Sequence, residues 1–302
     1  GSSVSGRERI MQTRRNVLGT VASTGIGAAC VTRLTAGDWT VYAGVRRDED
    51  GERLVDECGA NTRPVSLDVT DRSSIQGVVD RIDRESGRLD GLVNNAGVSV
   101  GGPFEILDES EWREQLEVNF FGVIAVTKAC FPLVDRAGGR FVHIGSIAGR
   151  VAAPGMGPYS ASKHAVEALN WSLRSELDRV GPMTSSVIEP GEIRTEIWNK
   201  GRTQVQEAEQ RLTQEGLTAR YQWLLHMFRG FLAEADERAI DADVVAASVE
   251  HALTSRRPRA RYLVGVDARL QAAATMLPDR TREYLLGKVY ARLEHRGGSV
   301  SP

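Results

Sequence analysis

The chain alternates short apolar stretches of strand character with stretches long enough for helices, and this alternation most limits what it can fold into. The strand-like segments run over 15–21, 39–45, 63–69 and 89–97. Strands that are joined through helices wind in parallel, so the alternation predicts repeated βαβ units. We therefore expect an α/β protein with a Rossmann-like, doubly wound parallel sheet of seven strands, helices on both faces and a single domain.

A glycine-rich turn joins the first predicted strand to the first predicted helix. The turn reads ASTGIG over 22–27, and the helix is expected from Ala28 to about Ala36. Glycines let the backbone approach a pyrophosphate, and a helix N-terminus offers unpaired N–H groups with a partial positive charge. The pattern indicates a phosphate-binding turn, although a glycine pattern alone is a weak signal.

Three side chains with complementary chemistry form a candidate active site. Tyr159 and Lys163 are four residues apart and therefore share a helix face, and Ser146 lies near the end of a predicted strand. A phenol titrates at a pH of about 10, so it exchanges protons near neutrality only if a nearby group stabilises its anion. The ammonium of Lys163 can supply that charge, and the hydroxyl of Ser146 can orient a substrate oxygen. Alone, each residue would indicate only a solvated surface.

Five motifs in order give the chain a resemblance to the classical short-chain dehydrogenases/reductases, over roughly residues 14–195. They are NNAG at 94–97, Asn119 in LEVNFFG, Ser146, the Tyr159/Lys163 pair, and Pro190 with Gly191. The resemblance implies that Tyr159 is the catalytic acid/base and that Lys163 lowers its pKa and holds the nicotinamide ribose. It also implies that Ser146 polarises the substrate oxygen and that Asn119 holds a water in a proton relay.

The implied reaction is hydride transfer between a nicotinamide cofactor and an alcohol or carbonyl carbon. The resemblance also implies a set of cofactor-binding residues along the glycine turn, the strand ends and the Pro-Gly motif. They are Thr20, Ser23, Thr24, Gly25, Ile26, Gly27, Arg46, Arg47, Asp68, Val69, Asn95, Ala96, Gly97, Tyr159, Lys163, Pro190, Gly191, Ile193 and Thr195, with Asn94 beside them. Asp68 matches the position that binds the adenine amino group; helix capping is its alternative role, for which Asp71 is the better candidate.

Two arginines follow the second predicted strand, at the position that distinguishes the two nicotinamide cofactors. An acidic side chain there would bind the ribose 2′-hydroxyl, whereas arginine would pair with a 2′-phosphate. The chain has Arg46 and Arg47, which favours NADP(H) while leaving NAD(H) possible. The alternative is that both arginines merely open a solvated turn.

One position departs from the family pattern. Val21 stands where the first glycine of the turn belongs, and Gly19 lies two residues earlier, so that exchanging the two would restore the usual sequence. If the backbone at Val21 needs a positive φ, valine costs more than about 1 kcal/mol there. We expect weakened cofactor binding relative to proteins with an intact turn. An alternative function follows: a non-catalytic, cofactor-binding regulatory protein.

Composition excludes other classes. The net charge is −2, which gives no sign of nucleic-acid binding, and Cys30, Cys58 and Cys130 lack metal-ligand spacing. We expect no metal site. The sequence shows no apolar run of about 18 residues, so we expect no transmembrane segment and a cytoplasmic protein, which family resemblance makes a homodimer or homotetramer. Disorder is expected over 1–13 and 296–302 around a domain at 14–295.

The segment 196–237 is predicted to cover the substrate. It ends in YQWLLHMFRGFL, whose apolar residues crowd more than one helix face. One hypothesis is a lid over an apolar steroid, retinoid, terpenoid or long-chain substrate; the alternative is ordinary core or a subunit interface. The region from His251 to Leu270 resembles the retinol and hydroxysteroid dehydrogenase branch. It predicts a last strand at Arg261–Val264, followed by a helix at Asp279–Leu293.

Overall fold

The computed structural model describes residues 14–194 and 197–299. Strands and helices alternate along it, as the apolar pattern predicts. The strands are β1 (Arg15–Gly19), β2 (Trp39–Val45), β3 (Thr62–Ser66), β4 (Gly91–Asn94), β5 (Arg140–Ile144), β6 (Thr184–Pro190), β7 (Ile193–Arg194), β8 (Ile240–Asp241) and β9 (Arg261–Val264). The helices are α1 (Gly25–Ala36), α2 (Asp48–Cys58), α3 (Arg72–Ser86), α4 (Glu109–Leu116), α5 (Gly122–Ala137), α6 (Gly157–Val180), α7 (Ile197–Gln214), α8 (Thr218–Arg238), α9 (Ala242–Thr254), α10 (Val266–Ala274) and α11 (Asp279–Gly298).

Seven strands form one parallel sheet in the order β3-β2-β1-β4-β5-β6-β9. The strand order reverses between β1 and β4, and the chain crosses there from one half of the sheet to the other. In doubly wound sheets, ligands bind at the carboxyl ends of the strands beside such a reversal. The predicted Rossmann-like, seven-stranded, single-domain fold is confirmed.

Helices bury both faces of the sheet, which is why its strands are apolar almost throughout. Val17 and Val41 join the core on the face covered by α1 and α9, whereas their neighbours Leu18 and Tyr42 join the core on the face covered by α3 and α5. Successive residues of a strand point to opposite faces, so both sets must be apolar. All seven residues of β2 are buried.

Several element boundaries differ from the sequence-based expectation. β1 ends at Gly19 rather than at residue 21, and α1 begins at Gly25 rather than at Ala28, because the glycine turn takes up the residues between them. β3 and β4 likewise end at Ser66 and Asn94, before the predicted ends at 69 and 97. Polar or glycine-rich connections therefore begin one to three residues earlier than hydrophobicity alone suggests.

The C-terminal helix is longer than predicted. α11 continues through Gly298, so residues 296–298 are helical and not part of a disordered tail. A side chain on Gly297 would lie 1.8 Å from the carbonyl oxygen of His226 on α8, so glycine lets the two helices touch. The sequence signal Gly-Gly indicates a helix end, but here it serves helix packing. The segments 1–13 and 300–302 lie outside the described residues.

One helical stretch, Glu109–Ala137, is long and apolar enough to cross a membrane by length and composition, which differs from the expectation that no segment would be. Its second half, α5, instead supplies core residues to the sheet. Val126, Cys130 and Val134 are fully buried among side chains of β1, β4 and α3. The apolar composition of this stretch is accounted for by packing inside the fold.

Candidate active site at the carboxyl edge of the sheet

Tyr159, Ser146 and Lys163 meet beyond the carboxyl end of β5. Ser146 follows β5 and Tyr159 lies in the first turn of α6, close enough for the Ser146 hydroxyl to act on the pKa of the phenol. The ammonium of Lys163 lies 5.7 Å from the centre of the Tyr159 ring and donates to the backbone oxygen of Ile144, at 2.9 Å. The structure therefore brings the three predicted side chains together.

The pKa values differ in one respect from what the sequence suggested. Burial raises the pKa of Tyr159 above its ordinary value, and the neighbouring Ser146 hydroxyl opposes that shift only in part. Burial also lowers the pKa of Lys163 to about 8. The ammonium of Lys163 is directed to the Ile144 carbonyl in this structure. At neutral pH, Tyr159 is a protonated phenol.

Asn119 lies in a short π-helical turn, Glu117–Phe121, between α4 and α5. Its side chain is buried and bonds both the N–H and the C=O of Val98, at 2.8 and 3.0 Å. It also donates to the hydroxyl of Ser162, which donates in turn to the backbone oxygen of Tyr159. Asn119 is thus connected to the backbone of Tyr159 through Ser162. π-Helical turns are frequent at functional sites.

Gln115 is a site-supporting residue that the motif search missed. It lies one helical turn before Asn119 and is fully buried. Its side-chain oxygen accepts from the N–H of Val100, and its amide nitrogen donates to the oxygen of Val98. Gln115 and Asn119 together fix the loop after β4. A buried amide one turn before the family asparagine was the available signal, because such a group needs hydrogen-bond partners.

The glycine turn has the geometry of a phosphate cradle. Gly25 has a φ of +54°, a conformation that favours glycine. A side chain on Gly27 would lie 2.1 Å from the oxygen of Val21 and 2.8 Å from the side chain of Asn95, so no larger residue fits. The N-cap residue of α1, Thr24, makes no side-chain capping bond, which leaves the first N–H groups of the helix available to an anion.

Val21 is the one described residue other than glycine with a positive φ, at +50°. The backbone is held there from both sides: the oxygen of Val21 accepts from the Asn95 side chain, and the N–H of Ala22 donates to the oxygen of Gly44. Gly19, by contrast, has ordinary backbone geometry and nothing within 4 Å of where a Cβ would lie. The fold therefore demands glycine-like freedom at residue 21 and not at residue 19.

Two of the predicted cofactor residues have buried side chains that bond inside the protein. Thr20 is 1% exposed, and its hydroxyl accepts from the backbone N–H groups of Asn95 and Ala96, so the side chain joins the end of β1 to the loop after β4. Asn94 is 2% exposed and donates to Thr127, and it is hydrogen-bonded to a ring nitrogen of His143. Neither side chain is directed to the surface at the edge of the sheet.

Around the end of β2, the two arginines have different surroundings. Arg47 is bonded to Asp50 at 3.0 and 3.1 Å, in the first turn of α2. The positive charge of Arg46 contributes to lowering the pKa of Asp68, behind the larger effect of hydrogen bonds from Thr70. The expected helix-capping role of Asp71 is confirmed, because its carboxylate accepts from Ser73 N–H. Asp68 lies next to the glycine-turn edge with one oxygen bound by Thr70.

The Pro190–Gly191 turn follows β6 at the same edge. The N–H of Gly191 donates to the oxygen of Val264 on β9, and Ile193 pairs with Ile240 in the short β7–β8 ladder. Ile193 is buried at 5% exposure. Thr195, the last predicted cofactor contact, lies outside the described residues. Val69 and Ala96 are buried, and Gly97 lies beside Asn119 and Lys163, where a Cβ would be 3.8 Å from the lysine nitrogen.

Helices α7 and α8 span most of the segment that was predicted to cover the substrate, and ion pairs tie them to α4 and the turn before it. Arg220 pairs with Glu105 at 2.8 Å, and Arg211 pairs with Glu111 at 2.9 Å. Glu105 lies in a short 3₁₀ turn and Glu111 in α4. The side chain of Phe228 lies over Gly155, four residues before Tyr159, where a Cβ would be 2.6 Å from its ring. The segment therefore reaches the loop that precedes Tyr159.

The residues present fit a dinucleotide, with Val21 as the exception. The cradle between Gly25 and Gly27, the open α1 N-terminus and the Pro190–Gly191 turn follow different strands at one edge of the sheet. Fold and site together define a Rossmann-type oxidoreductase that uses a nicotinamide cofactor.

Known proteins give the same class. Residues 15–206 match the family model described as short chain dehydrogenase. The NADPH-dependent 3-dehydrocapnine reductase of Ornithobacterium rhinotracheale is 30% identical over 282 residues, covering 91% of this chain and 96% of that protein. Human retinol dehydrogenase 16 is 34% identical over 268 residues, covering 83% of this chain and 80% of that protein.

A solved structure agrees along the whole chain. The crystal structure of a short-chain dehydrogenase from Streptomyces avermitilis has a TM-score of 0.72 at 28% identity, covering 96% of this chain and 100% of that one. The protein belongs to the short-chain dehydrogenase family and resembles its retinol dehydrogenase branch. It is an NAD(P)-dependent oxidoreductase acting on CH–OH groups.

Proposed function

We propose that the protein interconverts an alcohol and a carbonyl on an apolar substrate, with Tyr159 as the acid/base. The observation that carries this proposal is the meeting of Ser146, the Tyr159 phenol and the buried Lys163 beyond the carboxyl end of β5. A substrate oxygen between the two hydroxyls would exchange hydrogen bonds with both. The nicotinamide, when bound, supplies or accepts the hydride.

The protonation state favours carbonyl reduction near neutral pH. Burial raises the pKa of Tyr159, so the phenol carries the proton that a substrate carbonyl oxygen requires. As hydride reaches the carbonyl carbon, the O–H bond of Tyr159 breaks and its proton goes to the oxygen. Lys163, with a pKa lowered to about 8, remains largely cationic at neutral pH and stabilises the phenolate that forms.

Tyr159→Phe tests this role. The substitution removes one hydroxyl and should abolish turnover while leaving the melting temperature and the affinity for NADPH nearly unchanged. A screen of steroids, retinoids and aliphatic or terpenoid alcohols and ketones, followed by absorbance of the reduced cofactor, supplies the substrate. Turnover by Tyr159→Phe at a rate close to that of the unmodified enzyme contradicts the assignment.

An apolar substrate is supported by the contacts of α8. Phe228 lies over Gly155 and joins two apolar clusters, one with Ile106, Leu212 and Leu225 and one with Leu293 of α11. Phe231 packs in the second cluster. We assign Phe228, which reaches the loop before Tyr159, to substrate covering and Phe231 to ordinary core.

Phe228→Ala and Phe231→Ala are a matched pair, because both remove one aromatic ring from α8. Phe228→Ala should raise KM for bulky apolar substrates by about tenfold, the effect of losing roughly 1–2 kcal/mol of apolar contact. Phe231→Ala should lower the melting temperature and leave that KM unchanged. Equal KM values in the two variants would contradict the lid assignment.

We further propose a preference for NADP(H) over NAD(H), to which Arg46 contributes more than Arg47. Asp50 already neutralises Arg47 in part, at 3.0 Å, whereas Arg46 follows β2 directly. One relative is named for its use of NADPH. Arg46→Ala should reduce the ratio of NADPH to NADH affinity by about tenfold or more, since a charge-assisted phosphate contact is worth roughly 1.5–3 kcal/mol. Arg47→Ala is the control, with a smaller change in that ratio.

The regulatory alternative draws on one observation, the positive φ of Val21. A cofactor-binding regulator would bind NADPH with micromolar or weaker affinity and turn over none of the screened compounds. In that case Tyr159→Phe would change neither binding nor any measured rate, which separates the two functions in the same experiment.

A further inference from the structure

Asp267 lies in the first turn of α10, directly after β9, and its carboxylate reaches the Pro190–Gly191 turn. One carboxylate oxygen accepts the backbone N–H of Glu192 at 2.8 Å. Asp267 is 75 positions from Glu192 in sequence, so this bond joins two distant parts of the chain. The family motifs that identify the site do not include this residue.

Two glycines make room for this carboxylate. A Cβ on Gly191 would lie 1.8 Å from one oxygen of Asp267 and 2.4 Å from the other. A Cβ on Gly265 would lie 2.3 Å from a carboxylate oxygen, and Gly265 has a φ of +108°. Contacts below 3.0 Å force one of the two groups to move, so a larger residue at position 191 would displace the Asp267 carboxylate.

The bonded peptide also starts the connection to the covering helices. The carbonyl of Glu192 accepts from the N–H of Ile240, at 3.1 Å, directly after α8. The N–H of Gly191 is held by Val264 at 2.9 Å. The turn after Pro190 is therefore fixed at consecutive peptides by β9, α10 and β8, and Asp267 supplies its bond from a side chain.

The charge of Asp267 adds to burial in raising the pKa of the neighbouring Glu192 carboxyl. A carboxylate in the first turn of a helix is stabilised by the free N–H groups and by the dipole of that helix, here α10. The hydrogen bond from the Glu192 N–H to this carboxylate is charge-assisted.

We propose that Asp267 is a positioning residue for hydride transfer: its carboxylate fixes the Pro190–Ile193 turn and thereby the nicotinamide half of the dinucleotide. The proposal rests on the proposed function, in which this turn lines the nicotinamide pocket. It assigns no contact between Asp267 and the cofactor. The adenosine half, at the glycine turn after β1, lies on the other side of the strand reversal.

Two ligands separate positioning from a general loss of structure. NADPH occupies both halves of the site, whereas adenosine 2′,5′-bisphosphate lacks the nicotinamide half. Asp267→Ala should weaken NADPH about tenfold or more, as expected for the loss of a hydrogen bond to a charged group, and should leave the bisphosphate affinity within about twofold. Asp267→Asn keeps an oxygen acceptor for the Glu192 N–H and should recover most of the NADPH affinity.

Asp90→Ala is a matched control. Its carboxylate also accepts a backbone N–H from a neighbouring strand, that of Asn16 at 2.8 Å, but it precedes β4 at the opposite edge of the sheet. This variant should lower the melting temperature and leave both affinities unchanged. Equal losses of both ligands in Asp267→Ala, or none, would overturn the proposal.

A double-mutant cycle tests the spatial claim without cofactor or turnover. Gly191→Ala places a methyl group against the carboxylate, so its loss of thermal stability should be smaller in the Asp267→Ala background than in the unmodified protein. If the losses of thermal stability from Gly191→Ala and Asp267→Ala were additive in the double variant, the spatial claim would be overturned. This result does not depend on whether either variant binds NADPH. If the unmodified protein bound no dinucleotide, the proposed function would fail together with this proposal. If the unmodified protein turned over substrate and Asp267→Ala bound NADPH with unchanged affinity, this proposal alone would be overturned.

Discussion

Replacing Val21 by glycine separates the two penalties that this residue imposes on the cofactor turn. The valine has a φ of +50°, a left-handed conformation that is unfavourable for a β-branched residue, and its side chain is partly buried. Asn95 and Gly44 hold its two peptide groups, so the backbone is not free to relax. Val21→Gly removes both the strain and the isopropyl group.

The effect on stability is expected to be small because three contributions oppose one another. Relief of the left-handed strain gives about 1–2 kcal/mol. The greater freedom of an unfolded glycine removes about 0.5–1 kcal/mol, and losing a half-buried valine side chain removes roughly 1 kcal/mol more. The sum is close to zero, so the melting temperature of Val21→Gly should stay within a few degrees of the unmodified protein.

The effect on NADPH affinity is expected to be larger. The family resemblance implies that the residue at position 21 borders the adenosine end of the cofactor, where a glycine would leave more space than valine. A relief of about 1.4 kcal/mol on binding corresponds to a tenfold tighter Kd. Calorimetric titration of NADPH against both proteins measures this directly. Equal dissociation constants would refute the reasoning that Val21 weakens cofactor binding.

Two further substitutions identify which penalty acts. Val21→Ala removes the methyl groups but keeps a Cβ in the left-handed region, whereas Val21→Asn keeps a larger side chain that tolerates this conformation. If space is decisive, the alanine variant binds NADPH nearly as tightly as the glycine variant; if strain is decisive, the asparagine variant gains thermal stability. Exchanging Gly19 and Val21 together should be tolerated, because a Cβ at residue 19 meets nothing within 4 Å.

Three predictions concern titrating groups. Burial lowers the pKa of His143 from 6.5 to about 4, so stability present above the ordinary pKa should be lost as pH falls through this interval. That loss is on the order of 3 kcal/mol of unfolding free energy. Chemical denaturation should show that the unfolding free energy of His143→Gln declines less steeply as the pH falls. Burial beside Glu189 raises the pKa of Glu167, so stability should fall as pH rises, and Glu167→Gln should narrow the gap between melting temperatures at about pH 6 and pH 9. For carbonyl reduction, kcat/KM should decline above the Lys163 pKa of about 8 while Tyr159 stays protonated; Lys163→Arg should move that decline to higher pH, and an unmoved decline would contradict the assignment.

The sequence was sufficient to predict the fold because the alternation of strand-like and helix-length stretches agreed with the turn residues between them. The bounds of β2 and β9 match the structure, since polar or glycine residues flank each apolar run. The Tyr159–Lys163 pair was predictable because its spacing alone places both side chains on one helix face. These inferences need only local periodicity, which the chain carries explicitly.

Side-chain direction at the ends of the strands could not be predicted in the same way. Thr20 and Asn94 were predicted to contact the cofactor, yet both side chains point into the core. The direction of each side chain depends on where β1 and β4 end. Asp267 was missed for a related reason: its partner is 75 positions away. No local pattern indicates a bond between such distant residues.

The two ends of the cofactor site reach their backbone geometry by opposite means. At the Pro190–Gly191 turn, a glycine accommodates the Asp267 carboxylate, which holds the peptide by a hydrogen bond. At the turn after β1, a valine occupies the position that needs a glycine, and hydrogen bonds from neighbouring segments keep it there. Cofactor affinity in this protein should therefore depend more on the nicotinamide end than it does in relatives with an intact glycine turn. The affinities for NADPH and adenosine 2′,5′-bisphosphate test this division of the site. Val21→Gly should tighten both ligands by the same factor and leave their ratio unchanged, because it changes only the half that both ligands share, whereas Asp267→Ala should lower the ratio of NADPH to bisphosphate affinity.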